Sequence, residues 1–147
     1  MKALVVYDSV QGNTEKIARA IADAIGSTGK ARVLRAGEAN TADVKAIDLL
    51  VVGSPTLGGR PTPAVQKFLN RIPAEALRNL RVTSFDTRMK MFIARLFGYA
   101  ADRIAVNLKE KGGILARAPE GFIVKGREGP LADGELERAA AWAKAIL

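Results

Sequence analysis

The sequence predicts an α/β domain in which helices cover both faces of a doubly wound, five-stranded parallel sheet. Three observations predict it. Five apolar runs of strand length alternate with stretches whose apolar residues recur at helical spacing. Two of the runs, Ala3-Leu4-Val5-Val6 and Leu49-Leu50-Val51-Val52, are apolar without alternation, as in strands buried on both faces. Polar or glycine-rich segments follow the strand ends, where such sheets bind ligands. At 147 residues, without a repeat, linker or low-complexity tract, the chain is expected to form one domain over residues 1–147.

The elements follow in order. Lys2 to Tyr7 is the first strand. Thr14 to Ile25 is the first helix, with Ile17, Ala18, Ile21, Ala24 and Ile25 on one stripe. Asn13 is its expected N-cap and Gly26 its expected left-handed stop. Ala31 to Arg35 is the second strand, and one helical turn is expected near Ala42 to Lys45. Leu49 to Gly53 is the third strand. Thr62 to Asn70 forms a helix with Pro63 in its first turn, and Val65, Phe68 and Leu69 lie on one side. Arg81 to Phe85 is the fourth strand. Gly98 to Lys111 forms a helix with Ile104 and Leu108 inward, stopped by Gly112-Gly113. The fifth strand starts near Ile114, breaks at Pro119-Glu120-Gly121 and resumes at Phe122-Ile123-Val124. The last helix starts near Asp133 and turns Leu136, Ala139, Ala140, Ala143 and Ile146 inward.

Composition narrows the chemistry. The chain has no Cys and no His. That excludes disulfides, thiolate nucleophiles, cysteine-held clusters, the usual zinc sites and any histidine base. Difficult chemistry would need an organic cofactor. No apolar run is long enough to span a membrane, and no signal peptide is visible ahead of the first strand, so a cytoplasmic location is expected. The net charge is +8. Residues 60–111 carry eleven basic and four acidic residues, which is +7 of that total. A basic surface favours acidic partners and speeds their association, although it also simply confers solubility. No recognition helix or aromatic strand surface accompanies the charge, so specific nucleic-acid binding is not expected.

The segment Ser9-Val10-Gln11-Gly12-Asn13-Thr14 sits between a strand and a helix start. Unpaired backbone N–H groups and the positive end of a helix dipole make that position a phosphate site. The glycines fit neither a nucleotide P-loop nor a three-glycine dinucleotide motif. Hydroxyls, amides and main-chain N–H groups would therefore hold the phosphate. Two further loops lie on the same rim. After the third strand comes Ser54-Pro55-Thr56-Leu57-Gly58-Gly59-Arg60-Pro61-Thr62, in which paired glycines let the backbone approach a flat ligand, with Pro55 to Arg60 as the expected contacts. After the fourth strand come Phe85, Asp86, Thr87 and Arg88.

Along essentially its whole length the chain resembles a short-chain flavodoxin. The match is most specific in Ser9 to Thr14, which is similar to the family's FMN-phosphate loop of hydroxyl-x-hydroxyl-Gly-x-Thr pattern. Gln11 stands where a hydroxyl is expected. The resemblance implies strand order 2-1-3-4-5 and one noncovalent FMN at the rim. It implies that a peptide at Gly58 or Gly59 turns its carbonyl toward the flavin N5, and that Phe85, Asp86 and Thr87 meet the pyrimidine end. The function implied is electron transfer between redox partner proteins, here partners of acidic surface. Two departures bear on that role. The aromatic pair that often sandwiches the flavin is missing, with Leu57 the bulky loop residue and Trp142 far away in the last helix. The chain is also basic where flavodoxins are acidic, and Arg60 and Arg88 at the rim would make the potential less negative.

Two other functions are consistent with parts of the sequence. One is an FMN-dependent reductase passing electrons from NAD(P)H to a quinone or another small acceptor. The segment Met89 to Tyr99, apolar and cationic, fits either core packing or a docking patch for such a use. The other is a phosphoacceptor signalling domain. It requires an Asp at the end of the third strand, where this chain has Gly53-Ser54, and an acidic pair after the first, where only Asp8 stands.

Overall fold

A computed structural model describes residues 1–90 and 98–147. The segment Met89 to Tyr99 thus falls largely outside the described residues. The elements are β1 (Lys2–Tyr7), α1 (Asn13–Gly26), β2 (Lys30–Arg35), a 3-10 turn (Thr41–Val44), β3 (Leu49–Pro55), α2 (Pro63–Arg71), β4 (Arg81–Met89), α3 (Ala100–Glu110), β5 (Ile114–Leu115), β6 (Glu120–Val124) and α4 (Glu135–Lys144). The parallel order β2-β1-β3-β4 is completed by β5 and β6, which both pair with β4. These two pieces are the interrupted fifth strand. The order is therefore the expected 2-1-3-4-5.

The two apolar runs lie where their composition demands. Leu4, Val6, Leu50, Val52 and Val82 face Val65, Phe68 and Leu69 of α2 and Ile104 and Leu108 of α3. Ala3, Val5, Tyr7, Leu49, Val51 and Phe85 face Ile17, Ile21 and Ile25 of α1 and Ala139, Trp142 and Ala143 of α4. Each fully buried side chain of this size contributes roughly 1.5–3 kcal/mol. Phe85, Phe122 and Trp142 meet edge to face with centroids 6.1–6.5 Å apart.

Several local expectations are corrected. Gly26 lies inside α1, and the helix ends without a left-handed residue. Ser27 and Thr28 hydroxyls instead donate to the carbonyls of Ala24 and Ile25. Leu136 is 42% exposed, and Trp142 takes the inward place beside Ala139 and Ala143. β4 runs four residues past Phe85, because its far half pairs in register with both β3 and β6. α3 does end at a glycine, Gly112, at φ +101°, where a Cβ would lie 2.9 Å from the Arg78 backbone.

The outer edge is held by Glu135. It accepts from the Ile123 N–H at 2.6 Å and from Arg138 Nε and Nη2 at 2.9 and 2.7 Å. The Arg138 guanidinium, more than the Ile123 N–H, holds its carboxyl below the usual range against the opposing effect of burial.

Gly53 lies opposite Phe85 in the ladder, and a Cβ there would come within 2.0 Å of the Phe85 ring. Gly53→Ala should destabilise the protein by about 1–3 kcal/mol through overpacking. Urea unfolding checks this, and an unchanged midpoint contradicts the packing.

Candidate functional site

β1, β3 and β4 run parallel, so their carboxyl ends share one edge of the sheet. The segment after β1 turns on Gly12, at φ +91°, and enters α1. Ser9 caps this helix. Its Oγ accepts from the N–H groups of Gly12 at 3.0 Å and Glu15 at 3.3 Å. Asn13, the expected cap, is buried and donates from Nδ2 to the Glu128 carbonyl at 3.3 Å. The main-chain N–H groups of Val10, Gln11, Asn13 and Thr14 find no acceptor among the described residues. Arg35 braces the loop from β2, donating to the Ser9 carbonyl and pairing with Asp8 at 3.7 Å and Glu15 at 3.1 Å.

The segment after β3 closes on itself. The N–H of Leu57 donates to the Arg60 carbonyl at 2.8 Å, and that of Arg60 to the Leu57 carbonyl at 3.0 Å. Between them Gly58 and Gly59 stand at φ +56° and +81°, the conformation of a type I′ turn. Two side chains near this turn cap neighbouring helices. Thr62 Oγ1 accepts from the Val65 N–H, and Thr56 Oγ1 from the Ala100 N–H at 3.0 Å. The second of these starts α3, whose N-cap Tyr99 has no side-chain bond of its own.

The third segment is the far half of β4. Thr87 Oγ1 lies 2.7 Å from Thr14 Oγ1 in a buried hydrogen bond that ties the start of α1 to β4. Asp86 is fully buried and forked onto Arg88, at 2.7 Å from Nε and 2.9 Å from Nη2. It also accepts from the Ala101 N–H at 2.9 Å, at the positive end of α3. Arg88 lies 3.5 Å above the Tyr99 ring and fills the space left by the absent side chain of Gly121. Burial pushes the Asp86 carboxyl above its usual value, while Arg88 and the Ala101 N–H pull it down.

These segments enclose a groove of about 640 Å³. It is lined by Val10, Gln11, Asn13 and Thr14, by Pro55, Thr56, Leu57, Gly58 and Gly59, and by Thr87 and Arg88. Sequence reasoning missed Met89, Val124 and Arg127, which complete the lining from β4, from the end of β6 and from the loop beyond it. The signal available for the last two was the resumed strand and the glycines around Arg127. Five of the expected residues do not line the groove. Ser9 and Gly12 shape the first loop from behind. Phe85 points into the core against Phe122 and Trp142. Asp86 is engaged with Arg88. Arg60 lines a separate cleft of about 310 Å³ with Gln66, Asn70, Arg103 and Asn107. The expected pair of rim charges is thereby corrected, because Arg88 is neutralised by Asp86 and Arg60 faces elsewhere. No aromatic ring lines the groove among the described residues.

The groove joins unpaired N–H donors and a helix start to an apolar slot of Val10, Pro55, Leu57, Met89 and Val124. It suits a flat ligand carrying an anionic tail. Among the described residues no three His, Cys, Asp or Glu side chains are grouped to hold a metal ion. No described helix is long and apolar enough to cross a membrane.

Removing Arg88 would strand a buried carboxylate. Arg88→Ala should cost about 3 kcal/mol near neutral pH. The Asp86 carboxyl, already raised, rises further without its partner, so the deficit grows as pH climbs above the raised wild-type value and shrinks as pH falls below it. Denaturation at several pH values checks the sign, and a deficit independent of pH contradicts it.

A family model described as a flavodoxin domain matches residues 4–93, more than half of the chain. Solved structures share the fold over 99% of this chain. A flavodoxin from the domain Archaea is 22% identical over 96% of its length, with a TM-score of 0.80. Oxidised flavodoxin 1 from Bacillus cereus is 18% identical over 97% of its length, with a TM-score of 0.83. Two-electron reduced Megasphaera elsdenii flavodoxin is 22% identical over 99% of its length, with a TM-score of 0.75. No curated protein matches the sequence. The chain belongs to the flavodoxin family, whose cofactor is FMN.

Proposed function

We propose that residues 1–147 form one FMN-binding domain that carries electrons between redox partner proteins. The observation that supports this best is the groove itself, with free N–H groups of the first loop at one end and the Gly58-Gly59 turn beside an apolar slot. Its volume lies within the roughly 300–1,000 Å³ typical of small-ligand sites. The donor set fits FMN. Main-chain N–H groups of Val10, Gln11, Asn13 and Thr14, the Gln11 amide and the Thr14 hydroxyl can take the phosphate. Gln11 is exposed and still donates through its amide, so the missing hydroxyl alters one contact without removing the site.

FMN supplies the redox chemistry when bound, and the chain supplies position and access. Thr14 and Thr87 fix the first loop against β4. Leu57, Val10 and Met89 give the slot apolar walls. Leu57 and Val10 remain 48% and 62% exposed, so the slot opens to the surface where a partner would approach. Neither a general base nor a buried substrate chamber is needed for that role. The net charge of +8 favours a partner of acidic surface.

Freshly purified protein, given FMN and passed through gel filtration, should retain about one flavin per chain by visible absorption, as one groove for one ligand requires. It should then show no NAD(P)H–quinone turnover beyond that of free FMN. A protein that retains no flavin contradicts the proposal, and turnover well above free FMN replaces electron carriage with a reductase activity.

A further inference from the structure

The loop beyond β6 was not among the expected site segments, yet it reaches the groove. It folds back tightly. The Lys125 N–H donates to the Pro130 carbonyl at 2.8 Å, and the Gly129 N–H to the Gly126 carbonyl at 3.1 Å. An antiparallel bridge between Val124 and Leu131 closes its base. Arg127 and Glu128 stand exposed at the tip.

This tip is seated on the first loop. Asn13 Nδ2 donates to the Glu128 carbonyl. Gly129, at φ +104°, lies so close that a Cβ would fall 2.8 Å from the Asn13 amide, so only glycine fits both the conformation and the contact. The adjacent Arg127 lines the same groove as Gln11, Asn13 and Thr14, whereas Glu128 does not. Arg127 has no ion pair or hydrogen bond among the described residues. Arg88, the groove's other arginine, is already forked onto Asp86. The one uncompensated charge lining the groove among the described residues therefore stands beside the free N–H groups at the start of α1.

We infer that Arg127 is a phosphate-binding residue, its guanidinium pairing with the dianionic phosphate of FMN over the otherwise neutral first loop. This rests on the FMN reading above. A planar fork of N–H donors suits a phosphate, and the pair gains strength beside the positive end of α1. It compensates for the hydroxyl that Gln11 replaces. It also makes the site select for the phosphate by charge, and makes that selection sensitive to salt.

Titrating wild type, Arg127→Gln and Arg127→Lys with FMN and separately with riboflavin tests this, read by quenching of flavin fluorescence. Arg127 is exposed, and thermal melts verify that the variants stay folded. Arg127→Gln should bind FMN roughly tenfold or more weakly, as loss of a charge-assisted pair implies, and bind riboflavin as wild type does. Arg127→Lys should recover part of the loss. Wild-type affinity for FMN should fall with added salt more steeply than that of Arg127→Gln, and the 31P resonance of bound FMN should shift in the variant. Equal losses for FMN and riboflavin would place Arg127 on the ring and overturn the inference, as would unchanged FMN affinity. A wild type that binds neither flavin overturns the FMN reading and this inference with it.

Discussion

The site depends on one constraint: β1, β3 and β4 are parallel and held in a fixed register. Tyr7 pairs with Gly53, and Gly53 with Phe85, so three strands reach the same edge together. A one-residue slip in any of them would exchange its two buried faces and turn apolar side chains against the wrong helices. The apolar cores on both faces therefore fix the register, and the register fixes where the loops emerge. The groove is a consequence of burying Leu4, Val6, Leu50 and Val52 on one side and Val5, Leu49, Val51 and Phe85 on the other.

Loops at a common edge still need a defined shape. Here they are tied to one another by buried or half-buried polar contacts: Thr14 to Thr87, Thr56 to the Ala100 N–H, and Asp86 to the Ala101 N–H. Each satisfies a group that would otherwise be unpaired, and each joins separate elements of the chain. The start of α3 shows the economy of this arrangement, since its first N–H groups are capped by side chains from β3's loop and from β4. The N–H groups of Val10, Gln11, Asn13 and Thr14 are the contrast. They find no protein acceptor among the described residues, which a chain can sustain at a rim where water or an anion takes the bonds.

The fold was legible because its signals are local and repeated. The apolar runs gave β1 and β3, the stripe of Ile17, Ile21 and Ile25 gave α1, and Gly112 ended α3. The family resemblance, carried by Ser9 to Thr14, added the strand order. The misses share a physical cause. Phe85 and Arg88 looked alike as residues near a strand end, but strand alternation and the ring of Trp142 draw Phe85 into the core. Asp86 and Arg88 sit two apart on one face of β4 and pair with each other, a choice set by Gly121 across the sheet and Ala101 at a helix start. Asn13 and Gly26 were read by general capping preferences, and other bonds overrode them: Asn13 is drawn to the distant Glu128 carbonyl, and the nearby hydroxyls of Ser9 and Ser27 serve the two ends of α1. Arg127 lay outside the expected loops because its approach to the groove depends on a contact between residues 13 and 128.

The central claim is that this sheet edge holds FMN across the first and second loops. Backbone amide NMR of the labelled protein during FMN titration tests it most directly. The largest shifts should fall on Val10 to Thr14 and on Thr56 to Gly59, with the N–H groups of the first loop moving as acceptors reach them. Shifts concentrated instead on the cleft of Gln66, Asn70 and Asn107, or none at saturating FMN, would contradict the account.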